Sequence, residues 1–545
     1  MNKNPLRVWL TTHPHLAVPL LLFCLHAFYY FGWSLDDPYI SYRYAENLGN
    51  GHGLVFNPGE YVEGYSNFLF TLLLALLYKV GLNIVDFSRL IGFLSGIGTI
   101  LLLYYFLRSF PAEYGSKRTG ESGGMLNYLA LYLLALSGPF AFWAVSGMET
   151  GFYTFLAVLA WFYFSKDKRL SRRNLVLTEI ILLAAALTRP DGILFAAAIA
   201  LFLFAARWLP REGRSPEHDE SLVAAPASAR QDLLPRAASL YGLIFLIPFI
   251  LYTYWRYHYY GNLLPNTFYA KATGEPRFQL TNGIAYIITF FKTNGHVLLF
   301  MAAVPFLVSP LRRARPLLTG LLIIILTIAM VIYCGGDWMP ASRFFVPVLP
   351  FLFFLVQEGV RLVWERVSLR DPRYKKRDLI ALLVIAILAG NLYFERKETR
   401  LLVYRTRTGT FYQQYVDMGK WMRAILPSDS VFAGAEAGII PYYSKLRFID
   451  MLGIIDPQVA KLPGGLHEKY SADYVLNRRP DYIVLHVHLW RDGEGKMVGY
   501  YPWTGEMLNH PEFQQNYAIL HRFYRGNELF GRNFMLLYER KAPMN

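Results

Sequence analysis

Long apolar runs dominate this sequence and restrict it to one class of fold. Eleven of them are long enough to cross the hydrocarbon core of a bilayer, which is about 30 Å thick. They are centred on residues 16–33, 88–108, 126–146, 150–165, 175–189, 193–208, 239–257, 296–310, 317–334, 345–362 and 379–395. The hydrophobic share of 54% excludes an ordinary soluble globular chain. The sequence therefore predicts a polytopic α-helical membrane protein with about eleven transmembrane helices, embedded in a lipid bilayer.

The basic residues predict how these helices are oriented. The formal net charge is +15, and about 25 of the 54 Lys and Arg residues lie in alternate connections between the runs. These connections are the N-terminal stub and loops 108–125, 166–174, 207–238, 311–316 and 361–378. By the positive-inside rule they face the cytoplasm, and so does the N-terminus. The charge thus reports orientation and gives no support to nucleic-acid binding.

A twelfth apolar run, Phe68 to Leu82, determines on which side of the membrane each later loop is predicted to lie. Counting it as a span would reverse the side of every later loop and break the charge asymmetry. We therefore expect it to lie in the outer interface, or to enter the membrane and return. It belongs to the first outer loop, residues 34–87.

The two parts of the chain differ in composition. Residues 1–395 are predicted as the transmembrane domain, and residues 396–545 as a soluble α/β domain on the outer side. Five short β-rich runs are expected there, at Ser430 to Ala435, Lys445 to Met451, Asp481 to His488, Tyr517 to Phe523 and Asn533 to Arg540. They alternate with amphipathic stretches, Tyr412 to Leu426 and Glu468 to Asn477. Asp450 and Asp456 are expected to end a strand and begin a turn, with reach to a substrate as the alternative.

The first outer loop carries two adjacent carboxylates, Asp36 and Asp37, directly after the first apolar run. The two negative charges repel each other, which raises the pKa of one carboxyl group. Such a pair is suited to general-base catalysis, to nucleophilic attack or to binding a divalent ion. The alternative is that both residues cap the helix that follows. Three further polar residues of this loop are candidates for contact with a substrate, namely Arg43, His52 and Glu63. A solvated helix face for Arg43 and simple loop geometry around His52 are the competing interpretations.

Two more outer loops carry candidate residues between apolar runs. Glu149, in Ser-Gly-Met-Glu-Thr, suits either a helix cap or a functional acid. Arg189 precedes Pro-Asp-Gly and can bind a phosphate, whereas Asp191 in that turn is expected to be structural.

The remaining candidates lie in two loops rich in Gly, amides and aromatic residues. A flexible Gly pair precedes Asp337, Trp338 and Arg343, which can bind an anionic lipid or, for Asp337 and Arg343, simply pair. The loop from Tyr259 onward adds Asn266 and Lys271. Amides and flat rings suit a sugar, whose hydroxyls need donors and acceptors and whose CH faces stack on aromatic rings.

Common cofactor motifs are missing from the sequence. It contains no Walker A motif, no Rossmann glycine fingerprint, no His-Glu-x-x-His and no Gly-x-Ser-x-Gly. Two cysteines, Cys24 and Cys334, supply neither a disulfide framework nor a Cys-based metal site. Outward carboxylates, a few outward cations and many aromatic residues fit transfer of a group from a lipid-linked phosphate donor.

These motifs resemble a known superfamily. An Asp-Asp pair after the first span and a later outer acid are similar to the GT-C membrane glycosyltransferases, which use polyprenyl-phosphate sugars. The closer resemblance is to bacterial terminal β-(1→2)-arabinofuranosyltransferases. It is carried by DDPYISYRYAENLGNGHGLVFNPGEYVEGYSNFL, SGMET, RPDG, YGNLLPNTFYAK, GGDWMPASRFFVPVLP and AGIIPYYSKLRFIDMLGIIDP, in order from about residue 33 to 457. The resemblance implies transfer of a sugar, with arabinofuranose expected, to a cell-envelope glycan or glycoconjugate on the outer face of the bacterial inner membrane.

The resemblance also implies roles for residues. It makes Asp36 or Asp37 the catalytic carboxylate and Glu149 the second outer acid. An inverting reaction would use a carboxylate as base, whereas a retaining one would use it as nucleophile or use the leaving phosphate as base. No cofactor is required, although Mg²⁺, Mn²⁺ or Ca²⁺ could bind Asp36, Asp37 and Glu149. The departing phosphate must be neutralised, and the cation inferred to do this is Arg343, with Arg189 or Lys271 as the alternatives.

A transporter or flippase for a lipid-linked sugar is the alternative function, because acids within a membrane protein can also relay protons. Against it, the acids lie at the outer rim, and no inverted repeat is evident. A purely structural assembly factor would leave the outer acids unexplained.

Overall fold

The computed structural model describes residues 13–31, 35–114, 125–166, 171–206, 240–271, 276–293, 296–308, 314–370, 411–464, 468–490, 497–499, 501–528 and 531–542. The chain divides into two compact units. The first unit comprises Met1–Gly32, Ser88–Tyr252 and Gln279–Leu401. The second unit comprises Trp33–Phe87, Thr253–Phe278 and Leu402–Asn545. The first outer loop therefore belongs to the same unit as the C-terminal region, and the predicted boundary at residue 395 lies outside the described residues.

Helices account for most of the described chain. Up to residue 370 they are α1 Pro14–Tyr30, α2 Pro38–Gly49, α3 Phe68–Lys79, α4 Ile84–Tyr114, α5 Leu129–Ala135, α6 Gly138–Ala144, α7 Thr150–Ser165, α8 Arg172–Thr188, α9 Ile193–Ala206, α10 Ile247–Tyr260, α11 Asn266–Lys271, α12 Pro276–Thr293, α13 His296–Val308, α14 Arg315–Cys334 and α15 Leu349–Arg370. A π-helical segment, Tyr241–Leu246, precedes α10, and short 3₁₀ segments occur at Leu126–Tyr128, Pro190–Gly192 and Arg343–Val348.

Helices coincide with the apolar runs that predicted spans, wherever those runs are described. By length and apolar composition, three described helices can cross a membrane, within Ile84–Phe110, Arg315–Cys334 and Arg343–Trp364. A fourth span results if α5 and α6, which meet at a 55° bend, are taken together. Shorter apolar helices occupy other runs, and α3, with 12 residues, occupies the run expected in the outer interface. The run 379–395 lies outside the described residues.

Glycines allow close helix crossings in the first unit. A Cβ on Gly92 of α4 would lie 2.3 Å from the carbonyl oxygen of Ala144, in α6. One on Gly359 of α15 would lie 1.8 Å from the carbonyl oxygen of Met301, in α13. Small residues at crossings let helix backbones approach each other where lipid gives no hydrophobic drive for packing.

The second unit contains a mixed α/β region at its C-terminal end. Its helices are α16 Phe411–Ile425, α17 Ile439–Ser444, α18 Ala472–Asn477, α19 Pro502–Asn509 and α20 Pro511–Asn516. Its strands are β1 Val431–Gly434, β2 Arg447–Asp450, β3 Tyr482–Trp490, β4 Met497–Gly499, β5 Tyr517–Glu528 and β6 Gly531–Arg540. The strand order is β2-β1-β3-β6-β5, and β4 pairs with β3. All five predicted strands and both amphipathic helices are found, so the predicted α/β character of this region is confirmed.

The sheet changes from parallel to antiparallel pairing at its centre. Strand β1 runs parallel to β2 and β3, whereas β3 pairs antiparallel with β6, and β6 with β5. Alternate residues of β3, among them Ile483, Leu485 and Val487, are buried in the apolar core of this region. The carboxyl end of β1 leads directly into the segment that contacts the first outer loop.

Candidate active site

Asp36 binds a segment of the chain about 400 residues away. Its carboxylate accepts hydrogen bonds from the backbone N–H groups of Gly438 at 2.9 Å and Ile439 at 2.7 Å, where α17 begins. A Cβ on Gly438 would lie 2.0 Å from the backbone oxygen of Asp36, so only glycine fits this approach. Asp37 is the N-cap residue of α2, but its side chain makes no capping hydrogen bond. The alternative that both acids cap the following helix therefore does not describe this structure.

The surroundings of Asp36 keep a proton on its carboxyl group up to unusually high pH. Partial burial raises the pKa of Asp36 to about 8, and the N–H groups of Ile439 and Gly438 oppose this rise. The negative charges of Glu436 and Asp37 add to it. A pKa of about 8 lies near neutral pH, so part of the Asp36 population is ionised and is a stronger base than an exposed carboxylate, which suits it to accept a proton from a hydroxyl group.

Glu436 and its partner His486 are site residues that the sequence analysis missed. The Nε2 atom of His486 lies 2.6 Å from Oε1 of Glu436. The sequence did contain a signal, because Glu436 stands between small residues directly after a predicted strand. An acid at the carboxyl end of a parallel strand is a common position for a functional residue.

Arg43 holds the first outer loop to the C-terminal region. It is buried, and its guanidinium donates hydrogen bonds to the carbonyl oxygens of Phe56, Pro441 and Leu446 and to the side chain of Asn57. These protein acceptors position α2 beside the segment that binds Asp36. The geometry thus gives Arg43 a structural role, while contact with a substrate stays a prediction.

Other candidates of the second unit are spread over different environments. Glu63 is buried, with one carboxylate oxygen 3.6 Å from the Nε atom of Arg256, and burial raises the pKa of Glu63 to about 8 against the opposing charge of that arginine. Asn266 donates to the carbonyl oxygens of Gly453 and Ile454. His52 is exposed, and Lys271 ends α11. None of these contacts tests a role in substrate binding.

Glu149 forms a buried ion pair in the first unit. Its Oε1 atom lies 2.9 Å from Nη1 of Arg189, and Nε of the same arginine lies 2.8 Å from Oδ1 of Asp191. Glu149 is the N-cap residue of α7 but makes no capping hydrogen bond with its side chain. Arg189 therefore bridges two carboxylates, and Asp191 does more than form a turn.

A second ion pair, between Arg343 and Asp337, lies near the first one, and the ring of Phe344 contacts the arginines of both pairs. Nε of Arg343 is 2.7 Å from Oδ2 of Asp337, and both side chains are buried. The guanidinium carbons of Arg189 and Arg343 lie 5.8 and 5.5 Å from the centroid of Phe344. Three loops, remote in sequence, therefore converge on one cluster, which we call the arginine cluster: Glu149, Arg189, Asp191, Asp337 and Arg343. The side chain of Trp338, by contrast, is 47% exposed.

The backbone next to Arg343 is strained. Ala341 and Ser342 have φ angles of +54° and +46°, which side chains with a Cβ rarely adopt. The indole Nε1 of Trp143 donates to the carbonyl oxygen of Ala341 at 3.1 Å and helps to hold this conformation. Such strain persists where surrounding contacts enforce it, and it occurs often at functional sites.

The described residues contain no group of three or more His, Cys, Asp or Glu side chains arranged to hold a metal ion. The ion suggested at Asp36, Asp37 and Glu149 therefore has no geometric support in this part of the chain. The carboxylate of Glu149 faces Arg189 instead.

The chain shares its fold with solved structures of ArnT, a protein that binds undecaprenyl phosphate. The chain is similar to the crystal structure of ArnT from Cupriavidus metallidurans bound to undecaprenyl phosphate, with a TM-score of 0.52, 13% identity, and coverage of 97% of this chain and 98% of that one. The apo state of the same protein gives a TM-score of 0.52 at 14% identity, covering 98% of both chains. At this level of identity the similarity concerns the fold alone.

Sequence comparison identifies a relative with a named activity. The chain is 28% identical over 297 residues to the terminal beta-(1->2)-arabinofuranosyltransferase of Mycobacterium tuberculosis (strain ATCC 25618 / H37Rv), a match that covers 52% of this chain. It spans 42% of that relative's length, which is less than half. Residues 404–538 match a domain of unknown function, DUF8728. The name of this relative agrees with the resemblance carried by the motifs, and the similarity to ArnT concerns the fold.

Proposed function

We propose that this protein is a glycosyltransferase that moves a sugar from a polyprenyl-phosphate donor to a cell-envelope glycan or glycoconjugate on the outer face of the bacterial inner membrane. The observation that carries the proposal is the Asp36 carboxylate, held by two backbone N–H groups in surroundings that raise its pKa. The named activity of the sequence relative and the undecaprenyl phosphate bound to the structural relative support it. Arabinofuranose is the donor sugar we propose, on the strength of the relative's name.

In the proposed reaction, Asp36 accepts the proton of the acceptor hydroxyl as its oxygen attacks the anomeric carbon. The bond between that carbon and the donor phosphate oxygen breaks, and its electron pair leaves with the polyprenyl phosphate. A departing phosphate needs compensating positive charge, and we propose that Arg343 and Arg189 of the arginine cluster supply it. Their guanidiniums are already oriented by Glu149 and Asp337, so little ordering is required when the donor binds.

Glycan analysis of a deletion strain tests the proposal. The strain is complemented with the wild type, Asp36→Asn, Asp37→Asn or the double variant, and its envelope glycans are compared by mass spectrometry. We expect a missing terminal sugar in the deletion strain that the wild type restores and Asp36→Asn does not. The matched control is Asp429→Asn, which changes an exposed acid of the same unit.

Retained transfer in both single variants and in the double variant would contradict the catalytic role of these acids. A purified protein that moves polyprenyl-phosphoryl arabinofuranose between leaflets without forming a glycosidic bond would identify a flippase instead. The sugar lost from the deletion strain names the transferred group, whether or not it is arabinofuranose.

A further inference from the structure

Glu436 is joined to the central strand of the C-terminal sheet through one side chain. Its partner His486 lies on β3, with a fully buried side chain. The Nε2 atom of His486 lies 2.6 Å from the Oε1 atom of Glu436, close enough for an ion pair when the imidazole is protonated. A buried imidazole of this kind fixes the direction of the carboxylate it contacts.

Aromatic rings fix the imidazole in turn. The centroids of Tyr415, Tyr501 and Trp503 lie 6.1, 5.9 and 6.2 Å from that of His486, and the rings of Tyr501 and Trp503 stack on each other. These residues come from α16 and from the start of α19. The orientation of His486 is therefore set by packing from two elements as well as by its own strand.

The contacts continue from Glu436 to Asp36. Glu436 lies two and three residues before Gly438 and Ile439, whose N–H groups bind the Asp36 carboxylate. The space for this segment is narrow, since Gly438 tolerates no Cβ. A reorientation of the Glu436 side chain would therefore shift the backbone of residues 436–439, and with it the N–H groups that bind the Asp36 carboxylate.

We propose that His486 and Glu436 are positioning residues for Asp36, and that they hold the segment 436–439 so that the Asp36 carboxylate points at the acceptor hydroxyl. This inference rests on the proposed function. The charge of Glu436 also acts on Asp36 directly, because it adds to the rise in the pKa of Asp36. Neither residue touches the reacting atoms in this proposal.

Steady-state kinetics of the purified protein in lipid nanodiscs test the proposal. The probes are farnesyl-phosphoryl arabinofuranose as donor and an oligo-arabinofuranoside as acceptor. We expect Glu436→Ala and His486→Leu to lower kcat at least about tenfold, because a small misplacement of a reacting group costs that much, with the donor KM changed less than about twofold. Glu436→Gln and His486→Gln keep an acceptor and a donor, respectively, and should stay within about threefold of the wild-type kcat.

The control is a second His-acid pair among the described residues of the second unit, His510 and Asp473, 3.0 Å apart. His510→Leu and Asp473→Ala should leave both kinetic constants unchanged. Glu436 is only partly buried, so Glu436→Ala remains informative even where His486→Leu does not fold. Melting temperatures of all variants separate misfolding from misplacement.

Two results would overturn the positioning role: a wild-type kcat in folded Glu436→Ala, or glutamine variants as impaired as the apolar ones. Failure of the proposed function looks different. In that case the wild-type protein forms no glycosidic bond at all, or Asp36→Asn is fully active.

Discussion

Arg189 illustrates how much a single buried cation contributes to the arginine cluster. It neutralises Glu149, which is 4% exposed, and also contacts Asp191. Removal of one partner from a buried ion pair leaves an uncompensated charge and costs about 3–5 kcal/mol. We expect Arg189→Met to be destabilised by about that amount, measured as a lower midpoint of thermal or denaturant unfolding in detergent.

A double variant tests whether the uncompensated charge of Glu149 causes this loss of stability. Arg189→Met combined with Glu149→Gln should recover part of the lost stability, since glutamine carries no charge to desolvate. A double variant as unstable as Arg189→Met, or less stable, would show that the ion pair does not carry the effect.

Asp450 makes stability depend on pH. It ends β2, is 1% exposed, and accepts hydrogen bonds from the N–H groups of Leu452 and Ile455. Burial raises its pKa from 3.8 to about 6, the N–H groups oppose this, and Asp456 adds to it. The folded state therefore holds the proton more tightly than the unfolded state. The stability gained from Asp450 is fully present below about pH 4 and is lost as the pH rises to about 6.

A comparison with Asp450→Asn isolates this contribution. Relative to the variant, the wild type should lose about 2 kcal/mol of unfolding free energy between pH 4 and pH 7, most of the full effect of the raised pKa at about 1.4 kcal/mol for each unit. Unfolding midpoints of both proteins across this range provide the measurement. A difference that does not vary with pH would contradict the raised pKa.

At the scale of elements, helix contact in the first unit depends on glycine. Gly359 of α15 lies so close to the backbone of Met301 in α13 that a Cβ would overlap its carbonyl oxygen. We expect Gly359→Ala to cost about 1–3 kcal/mol, the usual penalty of overpacking. The matched control is Gly320→Ala in α14, where the added Cβ would lie 3.8 Å from Phe351, an ordinary contact. Equal melting temperatures of the two variants would contradict this account.

Elements also differ in how well the sequence predicts them. The strands of the C-terminal region follow β-branched and aromatic runs between turn residues, a local signal, and all five were predicted. Helix α12, Pro276–Thr293, was not predicted, because its apolar residues alternate with polar ones over a region read as an outer loop. Its tertiary contacts, such as that of Gly283 with the backbone of Ile332, are not visible in the pattern.

At the scale of the whole molecule, the charge asymmetry predicts the topology. In a protein without Cys24 and Cys334, Lys79→Cys and Glu512→Cys should react with an impermeant maleimide in intact cells, since both positions are exposed and predicted outside. Arg172→Cys, also exposed, should react only after the membrane is permeabilised. Labelling is read as a mass shift of the purified protein. Reaction of Lys79→Cys only in permeabilised cells would mean that α3 spans the membrane.

Local patterns in the sequence were sufficient to predict the apolar helices and the α/β character of the C-terminal region. They were also sufficient to select Asp36, Glu149, Arg189 and Arg343 as candidates. They are sufficient because apolar length, strand alternation and motif spacing are properties of neighbouring residues. The partners of these residues depended on the folded chain. Nothing in the spacing joins Asp36 to Gly438, and the position of Glu436 after a predicted strand does not by itself show that this strand end lies near Asp36. Long-range contacts follow from the packing of whole elements, which no fixed spacing in a single sequence records.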